Sequence, residues 1–326
     1  MNINEIARMA GVSRATVSRY LNDGYVSEEK RDAIRKVIER TGYVPSSQAQ
    51  TLRTGKTKLV GVIMPKINSE SVGRMVAGIS EVLKDSGYQI ILANTDNHEA
   101  EEVKYLKVLA EDQVDGIILI GTVFTPSHLK VMRDLRVPLV ILGQSLEGYS
   151  CVYDDDYHSM LEMARLVLTH SHRPAFLGVT EKDESAGAAR AKAFSDACAE
   201  AGIELPKGAM NSGEFTIDSG YSMAERVLRR IPDVDAFVCA TDNIAAGAMA
   251  CLRDQGRSVP GEVQVTGVGD SRLAHVVTPT LTTLHYYYRT SGAEAAKLLV
   301  SMMAGEDVVS REIKMGFDVV RGGSTL

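Results

Sequence analysis

Ser13, Arg14, Thr16, Ser18 and Arg19 fall within seven consecutive positions, with Ala15 among them and Asn22 just beyond. Arginine can fork two hydrogen bonds onto guanine O6 and N7, worth about 1–3 kcal/mol against a wrong base, whereas alanine offers only apolar contact, such as to a thymine methyl. Arg14 and Arg19 are therefore candidate base readers and Ala15 a candidate methyl contact. Thr16, Ser18 and Asn22 suit phosphate oxygens, and Ser13 heads the same DNA-facing set. A second kind of chemistry recurs farther along, in Asn68-Ser69-Glu70-Ser71, Asn94-Thr95-Asp96, Asp154-Asp155-Asp156, Thr241-Asp242-Asn243 and Gly269-Asp270-Ser271. Carboxylates, amides and hydroxyls exchange hydrogen bonds with a ligand's hydroxyls, and an aromatic face can stack on a sugar ring. Together they favour a polyhydroxyl ligand.

The first set needs a helix to present it. Asn4 can cap a helix through Ile6, Ala7, Met9 and Ala10, and Gly11 supplies a tight turn. Ser13 then caps a second helix over 14–21 that turns Val12, Val17 and Leu21 inward and Arg14, Ala15, Ser18 and Arg19 outward. A third helix runs from Ser27 to Arg40, with Glu28 and Glu29 in its first turn and Gly42 as its stop. Helix, glycine turn and helix is the arrangement that places a second helix in the major groove. Charge agrees with it. The whole chain carries 36 basic and 42 acidic residues, a formal -6, but residues 1–58 hold 11 and 6, net +5, leaving 25 and 36, net -11, for the rest. A basic head on an acidic body is expected if only the head meets phosphate.

The second set needs strand ends. Apolar runs of strand length at 59–64, 89–93, 116–120 and 139–142 alternate with helical patterns at 72–86 and 99–111. A second series follows at 175–179, 236–240 and 263–267, with helices near 186–201 and 244–255. Such alternation predicts doubly wound parallel sheets in two lobes. Ligands of these sheets bind beyond the carboxyl ends of the strands, so the polar loops should line a cleft between the lobes. The expected division is a head over 1–45, a hinge and linker over 46–58, and a two-lobed body over 59–326.

Other chemistries find little support. Cys151, Cys198, Cys239 and Cys251 lie far apart without a Cys-x-x-Cys pair, so buried free thiols are expected rather than disulfides or a metal site. The seven histidines are scattered, and His158, His170 and His172 are expected at the surface or in supporting roles. No Gly-x-Gly-x-x-Gly follows the first strand, and Gly55-Lys56-Thr57 lacks the earlier glycine of a phosphate-binding loop. No metal, cofactor or enzymatic activity is expected. An export signal and a run of about 18 apolar residues are both missing, so the expectation is a cytoplasmic protein with no membrane partner.

The run Ile6-Ala7-x-x-Ala10-Gly11-Val12-Ser13-x-x-Thr16-Val17-Ser18-Arg19-x-Leu21-Asn22, continued by Gly42-Tyr43-x-Pro45, resembles the head of the lactose repressor (LacI/GalR) family. The likeness extends over nearly the whole chain, through Asp115-Gly116-Ile117-Ile118, His172-Arg173-x-Ala175-Phe176, Cys239-Ala240-Thr241-Asp242, Pro279-x-Leu281-Thr282-Thr283 and the closing Val320-Arg321-Gly322-Gly323-Ser324-Thr325. The resemblance implies a three-helix helix-turn-helix head on a periplasmic-binding-protein-like body, and a homodimer on a near-palindromic operator. It implies a hinge helix that folds on DNA, with Leu52 as a minor-groove wedge and Arg53 close to phosphate. For the body it implies that Arg190 and Asp242 sit where effector is held, that Phe215 and Tyr288 match aromatic positions near it, and that Asp155 matches an Asp-Asn pair. Asp242 could instead cap a helix, and Phe215 or Tyr288 could be packing. Ser69, Ser71 and Asp270 join the effector set from the strand-end loops.

Departures from the family pattern individualise the pocket. Ser46 replaces a usual Asn and Gln50 a usual Arg, while Asn68-Ser69-Glu70-Ser71 replaces Asn-Pro-Phe-Phe and so lacks an aromatic face. Gly143-Gln144 replaces Asp-Arg, and Gly269-Asp270 replaces Asp-Asp. The function so implied is a transcription regulator of the repressor kind whose operator affinity follows a small carbohydrate, with sucrose or another disaccharide as the guess. The alternative is a sugar-binding transport protein or a sugar-modifying enzyme on the same two lobes.

Overall fold

The computed structural model describes residues 1–43, 55–111, 114–306 and 309–326. In the first unit, Met1–Lys58, helix α1 (Ile3–Met9) is capped by Asn2, not by Asn4 as the sequence suggests. Glu5 decides the matter. The Asn2 side chain accepts from the Asn4 and Glu5 N–H groups at 3.0 and 3.1 Å, and Glu5 Oε2 accepts from the Asn2 N–H at 2.8 Å, closing a reciprocal capping box. The turn at Gly11, at φ 66°, leads to α2 (Arg14–Tyr20), whose Thr16 N–H donates to the Ser13 hydroxyl at 3.2 Å. Helix α3 (Glu28–Thr41) ends on Gly42 at φ 61°. Ile6, Ala7, Val17, Ile34 and Val37 form the buried centre, with Val12 and Leu21 packed against it.

In the second unit, Leu59–Leu326, the chain builds two α/β lobes. The first contains β1 (Leu59–Met64), α4 (Glu70–Asp85), β2 (Gln89–Asn94), α5 (Glu99–Ala110), β3 (Gly116–Ile120), α6 (Pro126–Arg133), β4 (Leu139–Leu142) and β5 (Ser150–Asp154). The second holds α7 (Asp156–Leu168), β6 (Pro174–Val179), a π-helical turn (Glu184–Ala189), α8 (Arg190–Glu200), β7 (Met210–Gly213), α9 (Ile217–Arg230), β8 (Ala236–Cys239), α10 (Asp242–Asp254), β9 (Gln264–Val268), α11 (Arg272–Val276) and β10 (Thr282–Tyr286). Then α12 (Tyr288–Ala304) and β11 (Glu312–Met315) return to the first lobe, and β12 (Phe317–Val320) to the second.

The strand orders are β11-β5-β4-β3-β1-β2 and β12-β10-β9-β8-β6-β7, each of six strands. Every pairing is parallel except β10 with β12. Helices cover both faces, so the central strands β3, β4, β6, β8 and β9 are buried along their whole length, whereas the edge strand β2 buries only Ala93. The chain crosses between lobes three times, at 154–156, 286–288 and 315–317. All strand carboxyl ends that bear the polar loops face the space beside these crossings.

Each lobe closes a helix pair through glycines. A Cβ on Gly78 of α4 would lie 1.9 Å from the Arg289 carbonyl of α12, and one on Gly292 of α12 would lie 2.0 Å from the Met75 carbonyl. The second lobe repeats the device: Gly220 of α9 and Gly247 of α10 would meet the Ile244 and Ile217 carbonyls at 2.2 and 2.0 Å. In a free helix, alanine would improve on glycine by roughly 0.5–1 kcal/mol. Here the obstacle is backbone, which cannot swing away, so the sign reverses. Gly78→Ala should lower stability by about 1–3 kcal/mol or more, read from the midpoint of urea unfolding. A gain in stability would show that α4 and α12 are not so closely apposed.

Candidate functional site

On the head, the exposed face of α2 carries the residues singled out from sequence. Ser13, Arg14, Ala15, Arg19 and Asn22 are exposed, and Thr16 and Ser18 are half-buried. The Ser13 and Thr16 hydroxyls lie 2.9 Å apart, and the Asn22 amide donates to the Ser18 carbonyl. Arg19 runs beside Gly24, where a Cβ would stand 2.6 Å from Arg19 Cγ, so this glycine makes room for the arginine stem. Leu52 and Arg53, assigned from sequence to a DNA-bound hinge, lie outside the described residues, as do Ser46 and Gln50.

In the body, a cleft of about 680 Å³ opens between the two sheets, within the usual range for small-molecule sites. Ser69, Ser71, Arg190, Phe215, Asp242 and Tyr288, the residues named from the sequence, all line it. Asp155 and Asp270 are not brought to its wall. Asp155 instead caps α7, accepting from the His158 N–H, and pairs with Lys314 at 3.1 Å. Burial would raise its carboxyl, but hydrogen bonds from His158 and Lys314 hold it below the ordinary value. Asp270 is taken by His275 at 2.8 Å and His285 at 2.7 Å.

The centre of the cleft floor is a buried ion pair. Arg190, the first residue of α8, donates from Nε and Nη2 to Asp156 Oδ1 at 2.8 and 2.6 Å, and from Nη1 to the Ala240 carbonyl at 2.5 Å. Its guanidinium lies 5.4 Å from the centroid of the Tyr286 ring. Burial pushes this guanidinium down, yet the Asp156 carboxylate and the Tyr286 and Tyr288 side chains outweigh it and hold the group above its ordinary range. Tyr286 donates its hydroxyl to Asp156 at 3.2 Å and also meets Ser159. Tyr286, the last residue of β10, and Tyr288, the first of α12, are buried, while Tyr287 between them is exposed. The bend at the π-helical turn is fitted by Gly187, where a Cβ would stand 2.0 Å from the Thr180 carbonyl, and is capped by Asp183. The sequence pattern there suggests one continuous helix.

Several cleft residues were not identified from sequence as individual contacts. Asp154 is 7% exposed, and its Oδ1 finds no hydrogen-bond partner. Burial, with the neighbouring Asp156 charge, pushes its carboxyl up to about 7 against the opposing pull of Arg190. Asp183 is pushed up to about 6 by burial, partly offset by the Ala186 and Ser185 N–H groups and by Arg190. Asp242 is also raised by burial, although the Thr283 hydroxyl at 2.6 Å and the Ser271 N–H at 2.7 Å temper the rise. Three sets of contacts span the cleft. Gln144 Nε2 reaches Asp183 at 3.2 Å, Arg74 Nη1 reaches the Gly269 and Asp270 carbonyls at 2.9 and 3.3 Å, and the Arg272 N–H reaches Glu70 at 3.2 Å. The triplet Asp154-Asp155-Asp156 was visible as a polar loop; which members turn inward depends on where β5 ends and α7 begins.

Among the described residues no group of His, Cys, Asp and Glu is placed to hold a metal, and the four cysteines are buried free thiols. No described helix is long and apolar enough to cross a membrane.

Residues 2–46 match the model for bacterial regulatory proteins of the lacI family, and residues 164–325 match a periplasmic binding protein-like domain. The sucrose operon repressor of Staphylococcus xylosus is 30% identical over 317 residues, spanning 96% of this chain and 97% of that protein. A solved complex of the transcriptional regulator CelR with cellobiose is 29% identical, with a TM-score of 0.77 over 99% of each chain. A lac repressor dimer bound to operator and the anti-inducer ONPF shares the fold, at a TM-score of 0.91 and 21% identity over 100% of this chain and 99% of that one.

The raised Asp154 carboxyl makes a prediction about pH. A buried carboxyl whose native pKa exceeds its unfolded value costs nothing while both states are protonated, and stability is lost as the pH rises through the native value. For Asp154 that window runs from the ordinary value of 3.8 to about 7. Asp154→Asn should therefore melt above the parent near about pH 8 and lose most of that advantage near about pH 5. A difference in Tm that does not vary with pH would contradict the assignment.

Proposed function

The chain belongs to the lacI family of bacterial regulatory proteins, and from that premise we propose that it is a sequence-specific repressor whose operator affinity is set by a small carbohydrate held in the cleft. Residues 1–45 form the DNA-reading head, 46–58 the hinge and 59–326 the effector-binding and dimerising body. The chain acts as a homodimer, because helix-turn-helix heads gain affinity and specificity on paired half-sites of a near-palindromic operator. It works in the cytoplasm and does not turn over its ligand.

One observation carries this reading. The same chain that presents Arg14, Ala15 and Arg19 on an exposed, capped helix also lines a cleft with carboxylates, hydroxyls and amides at the ends of two sheets. Arg14 and Arg19 read bases, while Ser13, Thr16, Ser18 and Asn22 position the helix on phosphate. In the cleft, Ser69, Ser71, Asp242 and the floor around Arg190 exchange hydrogen bonds with ligand hydroxyls, and Phe215 and Tyr288 give apolar faces to a ring. A disaccharide such as sucrose suits both the space and the polarity. A transport protein would have no use for the head. An enzyme would need an activated nucleophile or an acid and base poised about a reacting atom, whereas the cleft's strongest donor, Arg190, is already committed to Asp156 and Ala240.

Ligand couples to DNA through the crossings at 154–156, 286–288 and 315–317, since a shift of one lobe on the other must bend there. Such coupling is worth typically about 1–3 kcal/mol.

The reading is tested by selecting duplexes from a random library and measuring fluorescence anisotropy with and without sugars. The full-length protein should enrich a near-palindrome, and sugar should alter its affinity. Arg19→Ala should weaken the selected duplex by about 1–3 kcal/mol and relax one position in each half-site, with a far smaller effect on random duplex. Equal losses on both would remove Arg19 from base reading, and no enrichment of any palindrome would overturn the repressor.

A further inference from the structure

We infer that Asp154 selects the effector: its unpartnered oxygen accepts a hydrogen bond from a hydroxyl of an unphosphorylated carbohydrate, and the surrounding cleft rejects sugar phosphates. This inference rests on the carbohydrate reading of the cleft and goes further by fixing the chemical class.

Asp154 ends β5 at the first crossing between lobes and lines the cleft. It is more than nine-tenths buried, and Oδ1 has no hydrogen-bond partner in the protein. An acceptor left unsatisfied at such depth costs about 1–3 kcal/mol, more for a charged group, so it is a strong site for any donor that enters. Asp156, two residues on, differs in that its Oδ1 already accepts from Arg190 and Tyr286 and its charge is balanced by the guanidinium.

The rest of the wall opposes anions. Helix N-termini are natural phosphate sites because their free N–H groups and dipoles converge on negative charge. Of the helix starts that bring residues to this cleft, five bear an acid of their own: Glu70 in α4, Asp156 in α7, Asp183 capping the π-helical turn, Asp218 in α9 and Asp242 in α10. The starts of α8, α11 and α12 bear none, but at α11 the Ser271 and Arg272 N–H groups already donate to Asp242 and Glu70. The cations of the wall do not balance the acids. Arg190 and Asp156 pair with each other, and Arg74 is drawn to the Gly269 and Asp270 carbonyls, which leaves Lys66 on the loop after β1 facing the five other lining acids, Glu70, Asp154, Asp183, Asp218 and Asp242. A phosphate dianion would thus meet repulsion and occupied donors. A hydroxyl meets acceptors on every side.

Isothermal titration of the full-length protein with paired probes tests this: sucrose, trehalose, maltose and cellobiose against their 6-phosphate esters. At least one neutral sugar should bind, and its ester should bind about 10-fold or more weakly. Asp154→Asn, which keeps a neutral acceptor, should lose about 10-fold for that sugar, and Asp154→Ala about 100-fold, with unchanged far-ultraviolet circular dichroism and unchanged binding to operator DNA without sugar. A phosphate ester binding as tightly as its parent sugar, or both variants retaining full affinity, overturns the inference while leaving the carbohydrate reading intact. Failure of every sugar and every ester to bind counts against both.

Discussion

The body is organised around one buried charge. A guanidinium taken out of water costs several kcal/mol unless a counter-charge and further acceptors surround it, and Arg190 obtains all of these from three separate parts of the second lobe. Asp156 comes from the crossing that follows β5, Tyr286 from the crossing that follows β10, and the Ala240 carbonyl from the end of β8. Removing any one would leave polar groups stranded. The pair therefore fixes where two of the three inter-lobe connections enter the second lobe, and with them the floor on which a ligand must rest. Evidence for net stabilisation it is not, since apolar replacements of buried pairs are often as stable. What it supplies is position.

Around that floor, the helix pairs set the distance between layers. The glycine contacts of α4 with α12 and of α9 with α10 let the backbones of each helix pair approach closely, which fixes the starts of α4, α9 and α10 relative to their partners. The acids at those helix starts then sit at the cleft wall, where their own dipoles favour them. This arrangement serves folding and selectivity together: each first-turn carboxylate stabilises its helix, and the sum of them shapes the field a ligand meets.

Much of this was legible in the residues, and the limits have physical causes. The glycine turn, the Ser13 cap and the outward face of α2 follow from local rules, so they could be read directly. The cap of α1 was misplaced by two residues because Asn2 and Asn4 are equally good cap types and only the reciprocal bond of Glu5 separates them. Ser69, Ser71, Arg190, Phe215, Asp242 and Tyr288 lie on the cleft wall. Asp155 does not, because β5 ends at Asp154 and Asp155 turns its carboxylate back to cap α7 and to meet Lys314. Asp270, at φ 45°, points to two histidines that are remote from one another in sequence, a pairing no local pattern announces. Gln144 was noted only as a departure from the family; its contact with Asp183 depends on the two lobes meeting.

Those meeting points bear on how a ligand can move the molecule. Gln144 to Asp183, Arg74 to the Gly269 and Asp270 carbonyls, and Arg272 to Glu70 are bonds the protein makes with itself across the cleft. A sugar that inserts a hydroxyl beside Gln144 or Arg74 exchanges one hydrogen bond for another, so its effect on closure is the difference between two similar quantities. Each of these bonds has a carboxyl or guanidinium partner and is worth about 1.5–3 kcal/mol by itself, of which an exchange leaves only a fraction. A ligand shifts the balance only by binding one arrangement better than the other, and a few such exchanges reach the 1–3 kcal/mol range in which coupling between sites usually lies. The buried acceptor on Asp154 differs in kind. Its Oδ1 has no protein bond to give up, so a donor delivered there adds to affinity, and it moves the lobes only as far as that bond is better made in one arrangement than in the other.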